Sequence, residues 1–395
     1  MTERHNDDAA TAEVTTVVVK VVSRCNLACK YCYVYEHADQ SWRAQPRYMS
    51  PSVVRQLAYR LAEYGTRNGR LPVTVVLHGG EPMLYGPARL RALLAEVARS
   101  MSEVDASVFF AMQTNATATS PAVLDVLAEY KVSIGVSVDA TRESHDRMRV
   151  TALGRPTSDR VRRGVDSIRA HAGLEGIAST LSVIDPTVDA VDALAHLSEF
   201  GAPLADFLLP DWNHDTYPGA MLPRGSVGEW LCSLFDAWIN SDSSVQIRIF
   251  HVLMRLLLGG KLGMDFLGAK SFGTVVVETD GSYHVHDALK TAYEGASATG
   301  LTLETSSIAD VCGLPLMRAM TDKASGASSK CLSCPYFQVC GGGHLVHRYS
   351  EELGFDRESV YCQDMIRLIG HIYTFLQSQP GHLPLVGFQS VVNRE

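Results

Sequence analysis

Three cysteines stand close together in Cys25-Asn26-Leu27-Ala28-Cys29-Lys30-Tyr31-Cys32, a C-x3-C-x2-C pattern. Three thiolates on one loop, with no fourth nearby, suit a [4Fe–4S] cluster that leaves one iron open. The open iron could then take a small molecule. A structural zinc ion wants four ligands, so it would have to borrow His37 or a distant donor. Three unrelated buried thiols are the remaining alternative. A second group comprises Cys331, Cys334, Cys340 and Cys362. Four thiolates complete either a [4Fe–4S] cluster or a zinc site, and spacing alone leaves both open. Cys232 and Cys312 stand apart, and Cys312 reads as a buried structural thiol, with a stray ligand as the alternative.

Such ligands need a scaffold, and the rest of the chain supplies one. The 395 residues are 46% hydrophobic and 20% charged, which excludes a disordered or fibrous chain. The formal net charge of −8 argues against a broadly basic nucleic-acid binder. Apolar runs fall short of the ~18–20 residues a membrane helix needs. Met1 to Glu13 is polar and acidic, without the features of a secretory signal, so the expected location is cytoplasmic. Nine cysteines in that compartment point to metal or redox chemistry rather than disulfides.

Val14 to Val22 reads as a strand, with the first cysteine group just after it. Helices are expected from Pro51 to Tyr64, Ala88 to Met101, Pro121 to Glu129 and Asp159 to Ala172. Between them, short apolar strands are expected at Val73 to Leu77, Ser107 to Met112, Val132 to Val138 and Ile177 to Val183. That alternation predicts parallel strands covered by helices. Polar and glycine residues follow the strand ends, where α/β folds bind ligands. They are Gly79-Gly80-Glu81-Pro82, then Gln113 and Asn115, then Ser137 and Asp139. Gly225 to Leu258 reads as two helices. Residues from Thr274 to Val285 read as a β-hairpin turning at Asp280-Gly281. The division expected is a flexible tail at 1–13, a barrel domain at 14–215, a helical bridge at 216–268, a cysteine-rich domain at 269–380 and a C-terminal tail at 381–395.

The C-x3-C-x2-C group after a strand, followed by Gly79-Gly80-Glu81-Pro82 after the next, resembles the radical S-adenosylmethionine (radical SAM) family. The resemblance implies an α/β fold, a partial (β/α)6 TIM-like barrel. It implies that Cys25, Cys29 and Cys32 bind a [4Fe–4S] cluster and that S-adenosylmethionine chelates the open iron. Gly79, Gly80, Glu81 and Pro82 then match the motif beside the methionyl ammonium. Gln113, Asn115, Ser137 and Asp139 match positions that contact its amino-acid part and ribose. Arg149 matches a recurring element that meets the SAM carboxylate, with a surface salt bridge as the alternative.

The second cysteine group resembles the SPASM extension of peptide-modifying radical SAM enzymes, with one departure. His286 and His344 stand where that family has cysteines for its inner auxiliary cluster. The implied complement is therefore one auxiliary [4Fe–4S] cluster, on Cys331, Cys334, Cys340 and Cys362. Val339-Cys340-Gly341-Gly342-Gly343-His344 and Ser359-Val360-Tyr361-Cys362 resemble the FxsB-type branch, some of whose members form three-residue cyclophanes. Such a maturase would abstract a β-hydrogen from a ribosomally made precursor peptide and join that carbon to an aromatic ring. Its electrons would come from a donor such as flavodoxin or ferredoxin. Asp287 matches the catalytic base of sulfatase maturases, against the plainer reading of a hairpin acid. Thioether formation, formylglycine formation and a zinc-binding interaction module are the alternatives. Neither nucleic acid nor a membrane is an expected partner.

Overall fold

The computed structural model describes residues 13–67 and 71–379. The tails expected at 1–13 and 381–395 lie outside the described residues, Glu13 excepted. The first strand, β1 (Val14–Val22), has valine at six of its nine positions. Branching at Cβ favours an extended, close-packed backbone. Then follow α1 (Pro51–Arg67), β2 (Val73–Gly79), α2 (Pro87–Glu103), β3 (Val108–Thr114), α3 (Pro121–Glu129) and β4 (Ser133–Ser137). Next are α4 (Arg142–Met148), α5 (Ser158–Ala170), β5 (Ser179–Val183), α6 (Ala190–Ser198) and β6 (Leu204–Leu208). The chain continues with α7 (Ser226–Ile239), β7 (Gln246–Ile247), α8 (Arg248–Leu257), β8 (Gly273–Val277), β9 (Ser282–His284) and β10 (Ala298–Thr302).

The strands form one open sheet in the order β10-β9-β8-β1-β2-β3-β4-β5-β6-β7. From β1 to β7 every pairing is parallel, and β8 is also parallel to β1. Only β9 and β10 run antiparallel to their neighbours. Parallel alignment brings the C-terminal ends of the strands to one edge, which collects the polar residues that follow them.

Helix α1 shows how sequence sets the covering layer. Ser50 Oγ accepts from Val53 N at 3.3 Å, and Pro51 opens the first turn. Val54, Leu57, Ala58 and Leu61 then fall on one buried stripe. The hairpin turns at Gly281, whose φ of +88° suits glycine. Because β8 pairs with β1, one sheet joins the expected barrel domain at 14–215 to the expected cysteine-rich domain at 269–380. A last helix, Cys362–Ser378, buries Met365, Leu368, Ile369, Ile372 and Tyr373. Its Asp364 accepts from Gly228 N on α7 at 2.8 Å, which seats Cys362. Among the described residues no helix is long and apolar enough to cross a membrane.

Candidate active site

The cysteine loop is fastened by its backbone. Gly80 N donates to Val22 O at 2.7 Å and Glu81 N to Arg24 O at 3.3 Å. On the other side Ala28 N donates to Val150 O at 2.7 Å and Lys30 N to Met148 O at 2.9 Å. The glycines exist for this approach. Gly79 has φ of +133°, and a Cβ there would stand 2.1 Å from Val22 O. A Cβ on Gly80 would stand 2.2 Å from Arg24 O and 2.3 Å from the Tyr35 hydroxyl. Both neighbours at 2.2–2.3 Å must move, so Gly80→Ala is expected to cost about 3 kcal/mol, read as a lower thermal midpoint.

Beside the loop lies a cavity of about 780 Å³. Cys25, Cys29 and Cys32 line it together with Gly79, Gly80, Glu81, Gln113, Asn115, Ser137 and Arg149. Two expected members are absent from its wall. Pro82 instead opens the helical turn Pro82–Tyr85. Asp139 is buried behind the wall, where both its carboxylate oxygens accept from Tyr31 Oη at 2.7 Å. Its Oδ1 also takes Arg149 Nε at 3.2 Å. Arg149 is thus in a buried ion pair, not a surface one. Burial works against its charge, but Asp139, Tyr31 and Cys29 outweigh that and hold it firmly protonated.

Glu81 is buried and almost saturated. Its Oε1 accepts from Met83 N at 3.0 Å and Thr114 Oγ1 at 2.7 Å, and its Oε2 from Asn115 N at 2.8 Å. Burial pushes its carboxyl above the usual range despite these donors. Gln113 Nε2 donates to Ser137 Oγ at 2.9 Å, linking β3 to β4. Asn115 Nδ2 donates to Asn26 Oδ1 at 3.0 Å, tying β3 to the cysteine loop.

Burial pushes the Cys25 thiol up to about 12 and the Cys29 thiol up to about 11. Thiols so placed surrender their protons to a strongly cationic ligand group. Three thiolates at the first set suit a [4Fe–4S] cluster with an open iron, and four at the second suit either such a cluster or zinc. In the second set, burial also pushes Cys340 up to about 11 and raises Cys362. The buried cations Lys323 and Arg348 interact with Cys340 and Cys331. Cys312 is buried in the hydrophobic core.

Asp287, His286 and His344 also line the cavity. Asp287 Oδ2 sits 2.6 Å from Lys20 Nζ, and both side chains are at least nine-tenths buried. Burial would raise its carboxyl, but Lys20, Lys290 and His78 outweigh that and hold it well below the usual range. The His286 and His344 rings lie 4.6 Å apart. Lys20, Tyr31, His347, Asp211 and Asp265 belong to this site without having been expected there.

The Radical SAM superfamily model matches residues 19–198. A cysteine-type anaerobic sulfatase-maturating enzyme of Clostridium novyi (strain NT) is 21% identical over 357 residues, covering 86% of this chain and 90% of that one. A serine-type anaerobic sulfatase-maturating enzyme of Bacteroides thetaiotaomicron is 23% identical, over 91% and 90% of the two chains. The solved structure of native anSMEcpe with bound AdoMet superposes with a TM-score of 0.74 at 20% identity, over 91% of this chain and 97% of that one. Streptococcus suis SuiB bound to precursor peptide SuiA reaches 0.54 at 14% identity, over 89% and 76%. The fold is the radical SAM α/β fold, with a cysteine-rich C-terminal region.

Proposed function

We propose, from the match of residues 19–198 to the Radical SAM superfamily model, that this chain is a radical SAM peptide maturase. It joins an aromatic ring carbon of a precursor peptide to the β-carbon of a nearby side chain. The sulfatase-maturating relatives and the peptide-bound neighbour support a peptide substrate. Cys25, Cys29 and Cys32 would hold the [4Fe–4S] cluster, and Cys331, Cys334, Cys340 and Cys362 one auxiliary cluster. When bound, the cluster and S-adenosylmethionine supply a carbon radical that takes a hydrogen atom.

The chain's own residues position the partners. Glu81 has three of its acceptor directions filled, leaving one for the methionyl ammonium. Arg149, fixed by Asp139, offers its remaining guanidinium N–H groups to the methionyl carboxylate. Electrons would come from a flavodoxin- or ferredoxin-type donor.

The observation that carries crosslinking is the state of Asp287. Making an aldehyde from Ser or Cys needs a base able to take an O–H or S–H proton. The Lys20 ion pair makes Asp287 a weak base. Crosslinking asks for less. One hydrogen atom leaves the β-carbon and that carbon bonds to the ring. The neutral ring radical then loses one electron, for which the auxiliary cluster proposed on Cys331, Cys334, Cys340 and Cys362 would be the acceptor, and the cationic ring loses one proton. Such a ring proton is acidic enough for a weak carboxylate. Formylglycine formation is the second reading, favoured by the sulfatase-maturating relatives.

Both products lack two hydrogens when the substrate residue is serine, so mass alone does not separate them. The test is anaerobic incubation with peptides encoded near the gene, followed by hydrazide trapping and fragmentation. The expected product is a cyclised peptide two hydrogens lighter that no hydrazide captures. A trapped aldehyde would establish the second reading.

A further inference from the structure

One corner of the cavity carries donors that neither the cysteine clusters nor the Asp287 pair uses. Gly341, Gly342 and Gly343 all have positive φ, at +66°, +79° and +75°. Three left-handed residues in succession turn the chain sharply, and His344 and His347 follow on the turn into the cavity wall. His344 is 4% exposed and His347 2%. His344 Nε2 and both ring nitrogens of His347 are buried without a hydrogen-bond partner. Buried polar atoms are nearly always paired, so three orphans in one corner call for a ligand.

Asp211, just beyond β6, supplies a carboxylate. Its Oδ1 lies 3.7 Å from His347 Nε2, too long for a hydrogen bond. Two donors each ~2.1 Å from one ion stand roughly 3–3.5 Å apart, close to this spacing. Donor atoms of Asp211, His344 and His347 all lie within 4.8 Å of one another. Asp265, His286 and His344 meet the same limit. There, however, His286 Nδ1 accepts from Ala288 N at 3.2 Å, which places the ring proton on Nε2, facing Asp265 at 3.6 Å. That nitrogen is not free to ligate.

We propose that Asp211, His344 and His347 bind one divalent first-row transition-metal ion, with an open coordination position toward the cavity. Two imidazoles and one carboxylate are donors of the zinc and iron(II) class. The site is independent of which reaction the enzyme performs.

The probe is zinc, added to the full chain after anaerobic reconstitution with iron and sulfide, then dialysed. About one zinc per chain is expected beyond the iron, with nitrogen and oxygen at ~2.0–2.1 Å and no sulfur at ~2.3 Å by zinc-edge X-ray absorption. His344→Ala and His347→Ala are expected to weaken zinc binding at least ~10-fold with iron and sulfide unchanged, and shape-preserving Asp211→Asn to do the same. His286→Ala should retain zinc. A sulfur shell, no zinc above background, or loss in His286→Ala with retention in His347→Ala would each overturn the assignment.

Discussion

Replacing Cys25, Cys29 and Cys32 together by alanine is expected to remove about four of the about eight irons per chain that the proposed clusters imply, and to abolish S-adenosylmethionine cleavage. The reasoning rests on what holds the loop. Its fastenings to Val22, Arg24, Met148 and Val150 are backbone hydrogen bonds that involve no sulfur. The variant therefore keeps these fastenings and loses, with the ligands, the contacts from Leu27 N and Asn115 Nδ2 to Cys25 Sγ. The remaining irons are those the proposed function assigns to Cys331, Cys334, Cys340 and Cys362. Iron and sulfide quantitation against protein concentration reads the result. About twelve irons before substitution would mean that His286 and His344 do not abolish an inner cluster. About four, all lost in the variant, would return the second cysteine group to zinc.

The scaffold was legible because its signals are local. Short apolar strands, capped helices and an Asp-Gly turn each announce themselves within a few residues. Strand direction then brings the polar strand ends to one edge, so most of the cavity wall followed. What stayed hidden depends on distant partners. Tyr31 is recognisable as the aromatic before the last cysteine, but its hydroxyl meets Asp139 far along the chain. Asp139, read as a cofactor contact, is spent on Tyr31 and Arg149. The helix at Cys362–Ser378 did carry a readable apolar period, from Met365 to Tyr373. His347 carried no local mark, since a single histidine near a cysteine motif says nothing of burial. Lys20 did carry one. A lysine among six valines in a central strand must either snorkel or find a buried anion.

That anion is Asp287, and the second large effect follows from it. Lys20→Met leaves a carboxylate deep in the wall, with Lys290 already engaged by Glu278. Removing one partner of a buried pair costs about 3–5 kcal/mol, because the survivor is left without a countercharge. Replacing both, as Lys20→Met/Asp287→Leu, should recover most of that loss, since neither burial penalty remains. A double-mutant cycle by denaturant unfolding measures the difference. The pH dependence has a definite sign. In the wild type, the native Asp287 carboxyl is held below its unfolded value of ~3.9. Its contribution is present above that value and is lost as pH falls through the lower folded one. In Lys20→Met, burial is no longer offset by the nearest cation, so the native carboxyl rises. A proton can then neutralise it, and the deficit should shrink as pH falls from 7 toward about 5. A deficit that stays constant across that range would show that the introduced methionine costs stability through packing, not through the orphaned charge. The same shift bears on chemistry. If Asp287 serves as a base once freed from Lys20, the variant's residual peptide modification should gain a pH dependence that Asp287→Asn lacks.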